Sequence, residues 1–484
     1  MKKPWKFVAL LLLCALCGNH LLLKAQAPRR EVAFTIDDLP MAGDASIIEE
    51  MQAVTRRSLS AFGLLGVVCA LAQEQTKPTS LSPAEREARW REDLQFLVAG
   101  LSAPGNTVDF RRGISTRGQK DFEKLYPKAS FDAEIKALGS DISKLPDAEV
   151  ALRLARLMAS AHVAHNLVQI RPRNGFFARL PLTFSWFADG LAVTGASPDY
   201  SAALGTRVLK IGTMTPEQLL SAVTPYISHE NDVWLRVEAS SFIRWAAVLS
   251  HFGMIDADRG VLLTLEKPGG APFTLSVAPA DPRVKTETVA EGLHVAPPLF
   301  LSRPGEYYWY QYLSDSQTLY IQYNACANDP KLSFSDFAKQ ALAEADAHPV
   351  KRVVIDLRHN GGGDSRVIGP LKSGLAARLQ AIGHVYVLIG PLTFSSAVDN
   401  ASELRHSLHA TLVGEKAGET PDGYGEVKFL TLPNSKLVVQ YTSKFSEPGK
   451  ESDALTPDVE ALRKLADALA GRDPALEAAI AASP

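Results

Sequence analysis

The sequence predicts an α/β core, a mainly parallel sheet with helices, preceded by an all-α N-terminal domain and a β-rich segment. Two observations carry this expectation. From Thr318 onward, apolar strand-like runs alternate with helical periods: "TLYIQYNAC", "FSDFAKQALAEADAH", "RVVIDLR", "SRVIGPLKSGLAARLQAI", "HVYVLIG", "SSAVDNASELRHSL" and "ATLVGEK". A β-α-β succession lays each strand parallel to the last and gathers the loops at the strands' C-terminal ends. Upstream, the apolar period is helical to about residue 170 and changes to alternation from Leu180.

Taken in order, the chain opens with two export-signal-like segments. Residues 1–25 carry Lys2 and Lys3, an apolar run and a cut site after Ala25. Residues 51–72 repeat the design in mid-chain, with Arg56 and Arg57, a second apolar run, and Ala70-Leu71-Ala72 before Gln73. That pattern predicts export to the periplasm or beyond, and both runs are short for membrane spans, so no stable span is expected after signal removal. Cys14, Cys17 and Cys69 lie inside these runs, which leaves Cys326 alone and gives neither a disulfide framework nor a zinc cluster. The apolar share of 46% and charged share of 21% describe a globular chain, and with a net charge of −2 and no basic run no nucleic-acid partner is expected. Between the two signals, "REVAFTIDDLPMAGD" resembles the start of NodB-type polysaccharide deacetylases, and the resemblance would give Asp37 and Asp38 to base and metal roles. The His-x-x-x-His motif of that family is missing, so residues 26–50 are read as a truncated fragment and no metal site is expected.

Residues 80–170 predict a small helical domain. Ser82 caps the first helix with Pro83 at its first position, and Trp90, Leu94, Leu97 and Leu101 keep its period. Residues 175–290 read as hairpins turning at Asp189-Gly190 and Gly269-Gly270. There "ALGTRVLKIGTMTPEQLLSAV" resembles the strand-to-helix passage of a PDZ domain, with residues 225–260 as an insertion. Residues 300–470 hold the α/β core.

The chemistry gathers in that core. "VVIDLRHNGGGDS" ends a strand in Gly361–Gly363, but no nucleotide-loop pattern is present and Asp364 would repel a phosphate. Bare backbone at this place suits either an oxyanion hole or a turn needing positive φ. "GPLTFSSAVDNASEL" puts Ser395 and Ser396 at a helix start, as nucleophile or as helix cap, and by itself this stretch favours the cap. No flavin, nucleotide or metal signature is found, so no cofactor is expected.

Together "VVIDLRHNGGGDS", "LTFSSAVDNA" and "LVGEKAGETPDGYGEV" resemble the serine peptidases that comprise C-terminal processing (tail-specific) proteases and the tricorn core, a group that also includes the interphotoreceptor retinoid-binding repeats. The resemblance implies a peptidase acting on peptide or protein substrates. It makes Ser395 the nucleophile, with Ser396 the off-by-one alternative, and it takes the oxyanion donors from Gly361, Gly362 and Ser396. Tail-specific proteases use a Lys base. Here its ungapped position is Thr420, and Lys416 is only nearby. The tricorn-like branch draws a His from the preceding helical domain, which implies His165 in "MASAHVAHNL", with His162 next. It also uses a Glu, for which Glu447 in "KFSEPGK" is the candidate. Asp356 and Arg358 are expected to brace the glycine turn. The alternative expectation is a non-catalytic peptide- or lipid-binding protein on the same scaffold.

Overall fold

A computed structural model describes residues 81–102, 125–169, 178–256, 260–421, 424–445 and 454–482. Both signal-like segments and the deacetylase-like fragment with Asp37 and Asp38 lie outside the described residues.

Helix α1 (Pro83–Ser102) starts where its cap predicts. The Ser82 hydroxyl accepts from Glu85 N at 3.3 Å and Glu85 Oε2 accepts from Ser82 N at 2.9 Å, a reciprocal capping pair. Trp90, Leu94, Leu97 and Leu101 are all buried, against the apolar faces of α2 (Lys128–Asp141) and α3 (Asp147–Ala159). This region is not helical throughout, because Leu167–Gln169 forms strand β1. Three residues carry no period of their own, and the partner strand comes from near the C-terminus.

Strands β2 (Leu182–Phe187), β3 (Gly190–Ala196), β4 (Arg207–Ile211), β5 (Val261–Glu266) and β6 (Pro272–Val277) form an antiparallel sheet in sequence order. A short strand β7 (Glu287–Thr288) pairs with β3. The hairpin turn after Phe187 needs Gly190, whose φ is +121°. Helix α4 (Pro216–Val223) follows β4 behind a Thr215–Gln218 capping box. The stretch between α4 and β5 folds as α5 (Asp232–Phe242) and α6 (Ala246–His251).

The third layer is the α/β core. It contains β8 (Tyr308–Leu313), β9 (Thr318–Tyr323), α7 (Phe334–Ala347), β10 (Arg352–Asp356), α8 (Gly369–Ala376), β11 (His384–Ile389), α9 (Ser396–Leu408) and β12 (Thr411–Gly414). A hairpin of β13 (Tyr424–Thr431) and β14 (Val438–Phe445) leaves this layer and pairs with β1. The chain then returns through β15 (Val459–Glu460) and closes with α10 (Pro474–Ala481). The sheet order is β15-β12-β11-β10-β9-β8, parallel except for the antiparallel edge strand β8. Along β10, Val353 and Ile355 pack with α7, α8 and α9, while Val354 packs on the other face with Ala475 and Leu476 of α10. Burial on both faces explains the unbroken apolar run Val353–Ile355 within this strand.

The fold is therefore mixed α/β with three sheets among the described residues. Its consequence for chemistry is topological: the loops leaving β10, β11 and β12 emerge side by side at one end of the parallel sheet.

Candidate active site

The loop after β11 delivers Ser395. Three bonds fix its path before the helix begins. The Thr393 hydroxyl donates to Leu357 O at 2.9 Å, Phe394 N donates to Asn360 O at 3.0 Å, and Gly418 N donates to Thr393 O at 3.0 Å. The loop is thus sewn to both neighbouring loops. Ser395 then takes φ +50° and ψ −132°, a conformation unusual for a residue with a side chain, and its hydroxyl makes no capping bond to α9. Such a backbone costs roughly 1–3 kcal/mol and persists only where its surroundings hold it. The next hydroxyl is engaged differently, since Ser396 Oγ donates to Gly363 O at 2.6 Å and ties the helix start to the glycine turn.

The three glycines have separable reasons. Gly363 (φ +130°) lies so close to Cys326 that a Cβ would fall 2.4 Å from its carbonyl oxygen. Gly362 (φ +107°) faces the serine, and a Cβ there would meet Ser395 Cβ at 2.7 Å and Ser396 N at 3.1 Å. A Cβ on Gly361 would meet nothing within 4 Å. Fold alone thus demands two of them. Asn360 organises the turn: its side chain donates to Tyr323 O at 2.9 Å and accepts from Gly362 N at 2.9 Å. This corrects one expectation, because the Gly362 N–H is committed to Asn360 rather than open toward Ser395.

Beneath the turn, Arg358 pairs with two carboxylates, Asp356 from β10 and Asp473 before α10, the latter at 2.7 and 2.8 Å. Its guanidinium carbon also stands 3.9 Å from the centre of the Phe300 ring. Tyr320 donates to Asp356 at 2.7 Å. A buried cation between two anions, each further hydrogen-bonded, anchors the end of β10. His359 beside it is pushed down to about 4 by burial, so it stays neutral at physiological pH.

The third contributor comes from outside the core. His165 sits in the loop joining α3 to β1, two residues before Leu167, in a segment that β14 holds: Gln440 Nε2 donates to His165 O at 3.0 Å and Thr442 N to Asn166 Oδ1 at 2.8 Å. The imidazole lies with its ring centre 4.8 Å from that of Phe394 and places Nε2 3.3 Å from Ser395 Oγ. On the other edge, His165 Nδ1 stands 3.1 Å from Glu419 Oε1, close enough for an ion pair though not aligned as a straight hydrogen bond. Glu419 Oε2 in turn accepts from Ser395 N at 2.5 Å. One buried carboxylate therefore restrains both the strained serine backbone and the imidazole. Burial alone would lower the His165 pKa, but the attraction and hydrogen bonding of Glu419, with a further contribution from Glu230, raise it above its ordinary value.

Of the residues expected at the site, Ser395, Ser396, His165 and Gly361–Gly363 lie on the segments that converge here. Lys416 is exposed and His162 is exposed, edge-on to His229 at 6.4 Å between ring centres, and neither hydrogen-bonds Ser395. Glu447 lies outside the described residues. The carboxylate facing His165 belongs to Glu419, which the sequence reading passed over. It immediately precedes Thr420, the position at which a Lys base was sought. No group of His, Cys, Asp and Glu side chains arranged to hold a metal occurs among the described residues. No helix among them is long and apolar enough to cross a membrane.

No protein-family model and no curated protein matches the sequence. Solved structures do match. Mature CPAF complexed with lactacystin superimposes with a TM-score of 0.54 at 14% identity, covering 80% of this chain and 96% of that one. The chain has the CPAF fold. A second structure, of mature CPAF, agrees with a TM-score of 0.53 at 14% identity over 80% of this chain and 94% of that chain. The photosystem II D1 C-terminal processing protease is a more distant match, with a TM-score of 0.33 at 14% identity over 75% of this chain and 99% of that one.

Proposed function

We propose that this protein is a serine-type peptidase in which Ser395 is the nucleophile, His165 the base and Glu419 the carboxylate that orients the base. The observation that carries the reading is the continuous path Ser395 Oγ, His165 Nε2, His165 Nδ1, Glu419 Oε1, at 3.3 and 3.1 Å. A carboxylate only accepts, so it favours the tautomer with hydrogen on Nδ1 and leaves the Nε2 lone pair for the serine proton. The 3.3 Å approach is loose, as such contacts commonly are before substrate binds. The shared fold with CPAF supports the same reading, and so does the order of motifs that resembles C-terminal processing proteases.

The chemistry is acyl transfer. Ser395 Oγ attacks the scissile carbonyl carbon while His165 takes the hydroxyl proton. The imidazolium, stabilised by Glu419, passes that proton to the leaving amine as the C–N bond breaks. Water then adds to the acyl-enzyme with His165 again as base, releasing the acid and restoring Ser395. The tetrahedral oxyanion is met by Ser396 N–H at the start of α9, together with a glycine-turn N–H other than that of Gly362. On this reading Gly361, which the backbone does not require, leaves room for a substrate carbonyl. The signal-like segments support a location in the periplasm or outside the cell.

A fluorophosphonate probe tests the assignment. The wild type should be labelled stoichiometrically, and Ser395→Ala should fold normally and take no label. Continued labelling of Ser395→Ala would remove Ser395 from this role.

A further inference from the structure

The segment Ser228–Trp234, entering α5, touches all three loops of the site. Ser228 Oγ donates to Asn166 O, and Glu230 Oε1 accepts from Ala164 N at 3.2 Å, so this segment grips the residues on both sides of His165. Asn231 Nδ2 donates to Gly418 O at 2.8 Å, next to Glu419. The same Asn231 caps α5 by accepting from Trp234 N at 2.9 Å. Trp234 stacks on Phe394, ring centres 3.9 Å apart, and lies so close to Gly418 that a Cβ there would meet its ring at 2.7 Å. No neighbouring element except this one reaches the His165, Ser395 and Glu419 loops together in the bonds described.

We infer that Ser228–Trp234 is a positioning clasp for the site, with Asn231 setting the Glu419 loop against the His165 loop and the Glu230 carboxylate adding charge that favours the protonated imidazole. The inference rests on the assignment of His165 as base and deepens it. The groups that act on Glu230 are Glu419 from the loop after β12 and His165 from the loop after α3, with the Ala164 N–H donating to its carboxylate. Burial, and then repulsion from Glu419, push Glu230 up to about 7.

Two measurements test the clasp. In the full chain with carbon-labelled histidines, His165 is assigned by the resonance lost in His165→Gln, and its titration is followed in wild type and Glu230→Gln. The expected result is a midpoint lower by roughly 0.5–1 pH unit in Glu230→Gln, because a nearby negative charge has been removed. Identical midpoints would overturn the role of Glu230, whether or not the protein acylates. For Asn231, the variant Asn231→Ser keeps a good helix cap but is too short to reach Gly418 O. Saturation kinetics with the fluorophosphonate should show the maximal labelling rate reduced ~10-fold with half-saturation unchanged, as expected for a misplaced catalytic pair. A wild-type maximal rate in Asn231→Ser would break the clasp. Failure of the wild type itself to label would instead defeat the Ser395 assignment, leaving the His165 titration to judge Glu230.

Discussion

Replacing Glu419 by Gln removes a charge and nothing from the outline of the side chain, which makes it the sharpest perturbation of the proposed site. Glu419 engages both oxygens, one accepting from Ser395 N at 2.5 Å and the other standing 3.1 Å from His165 Nδ1. Glutamine has one oxygen and one NH2 group. If the oxygen keeps the Ser395 N–H, which holds the strained φ of +50°, the NH2 must face His165 Nδ1. The imidazole then carries its proton on Nε2 and aims it at Ser395 Oγ, where it cannot act as base. In a serine protease of another fold, the equivalent exchange lowers turnover about 10⁴-fold. That corresponds to about 5.4 kcal/mol of barrier at 1.36 kcal/mol per decade. The assay is the second-order rate of fluorophosphonate labelling as a function of pH, with circular dichroism to verify folding. Glu419→Gln should label about 10³–10⁴-fold more slowly than wild type. Whatever labelling remains should have its acidic limb displaced to lower pH, because the group that raises His165 has been neutralised. A folded Glu419→Gln that labels within tenfold of wild type would refute the orienting role.

Three further outcomes follow from the same geometry. Wild-type labelling should rise with pH through a midpoint above 6.5, since the raised pKa of His165 keeps it protonated, and inactive as a base, until higher pH; a stopped-flow pH profile with a midpoint below 6.5 would contradict this. Gly363→Ala should destabilise the fold by more than ~1 kcal/mol in urea unfolding, with its new Cβ pressed against Cys326 O at positive φ, whereas Gly361→Ala, open on all sides, should unfold like wild type. Arg358→Met should lose about 3–5 kcal/mol of stability in the same assay, because Asp356 and Asp473 would remain as uncompensated buried charges.

What could be read in the sequence depended on whether a feature is local. The alternation of β9, α7, β10, α8, β11, α9 and β12 was legible because each element carries its own period and the parallel sheet buries its strands on both faces. The cap at Ser82 and the hairpin turn at Gly190 were legible for the same reason. Strand β1 was not, since three residues have no period and its partner β14 comes far along the chain, Leu167 pairing with Gln440. Residues 225–260 carried no readable role as an insertion, yet helix α5 within them packs Trp234 against the serine loop.

The same distinction explains the site. Ser395 was legible as a hydroxyl at a helix start, but nothing local separates a nucleophile from a cap. The structure speaks against the cap, since Ser395 takes φ +50° and its hydroxyl makes no capping bond, and the nucleophile role remains the proposal. Glu419 was hidden by a different cause. The search at its position was for a cation, one residue further on, because a Lys there would serve the serine directly. Once the base comes from His165 instead, the charge required of the β12 loop changes sign: an imidazole that must accept a proton needs an anion behind it. The loop then supplies a carboxylate that accepts from the serine backbone and stands against the imidazole. On the proposed reading, a base delivered from a separate layer of the fold and a carboxylate delivered by the β12 loop are thus one requirement, and neither residue's type makes chemical sense until the other has been placed.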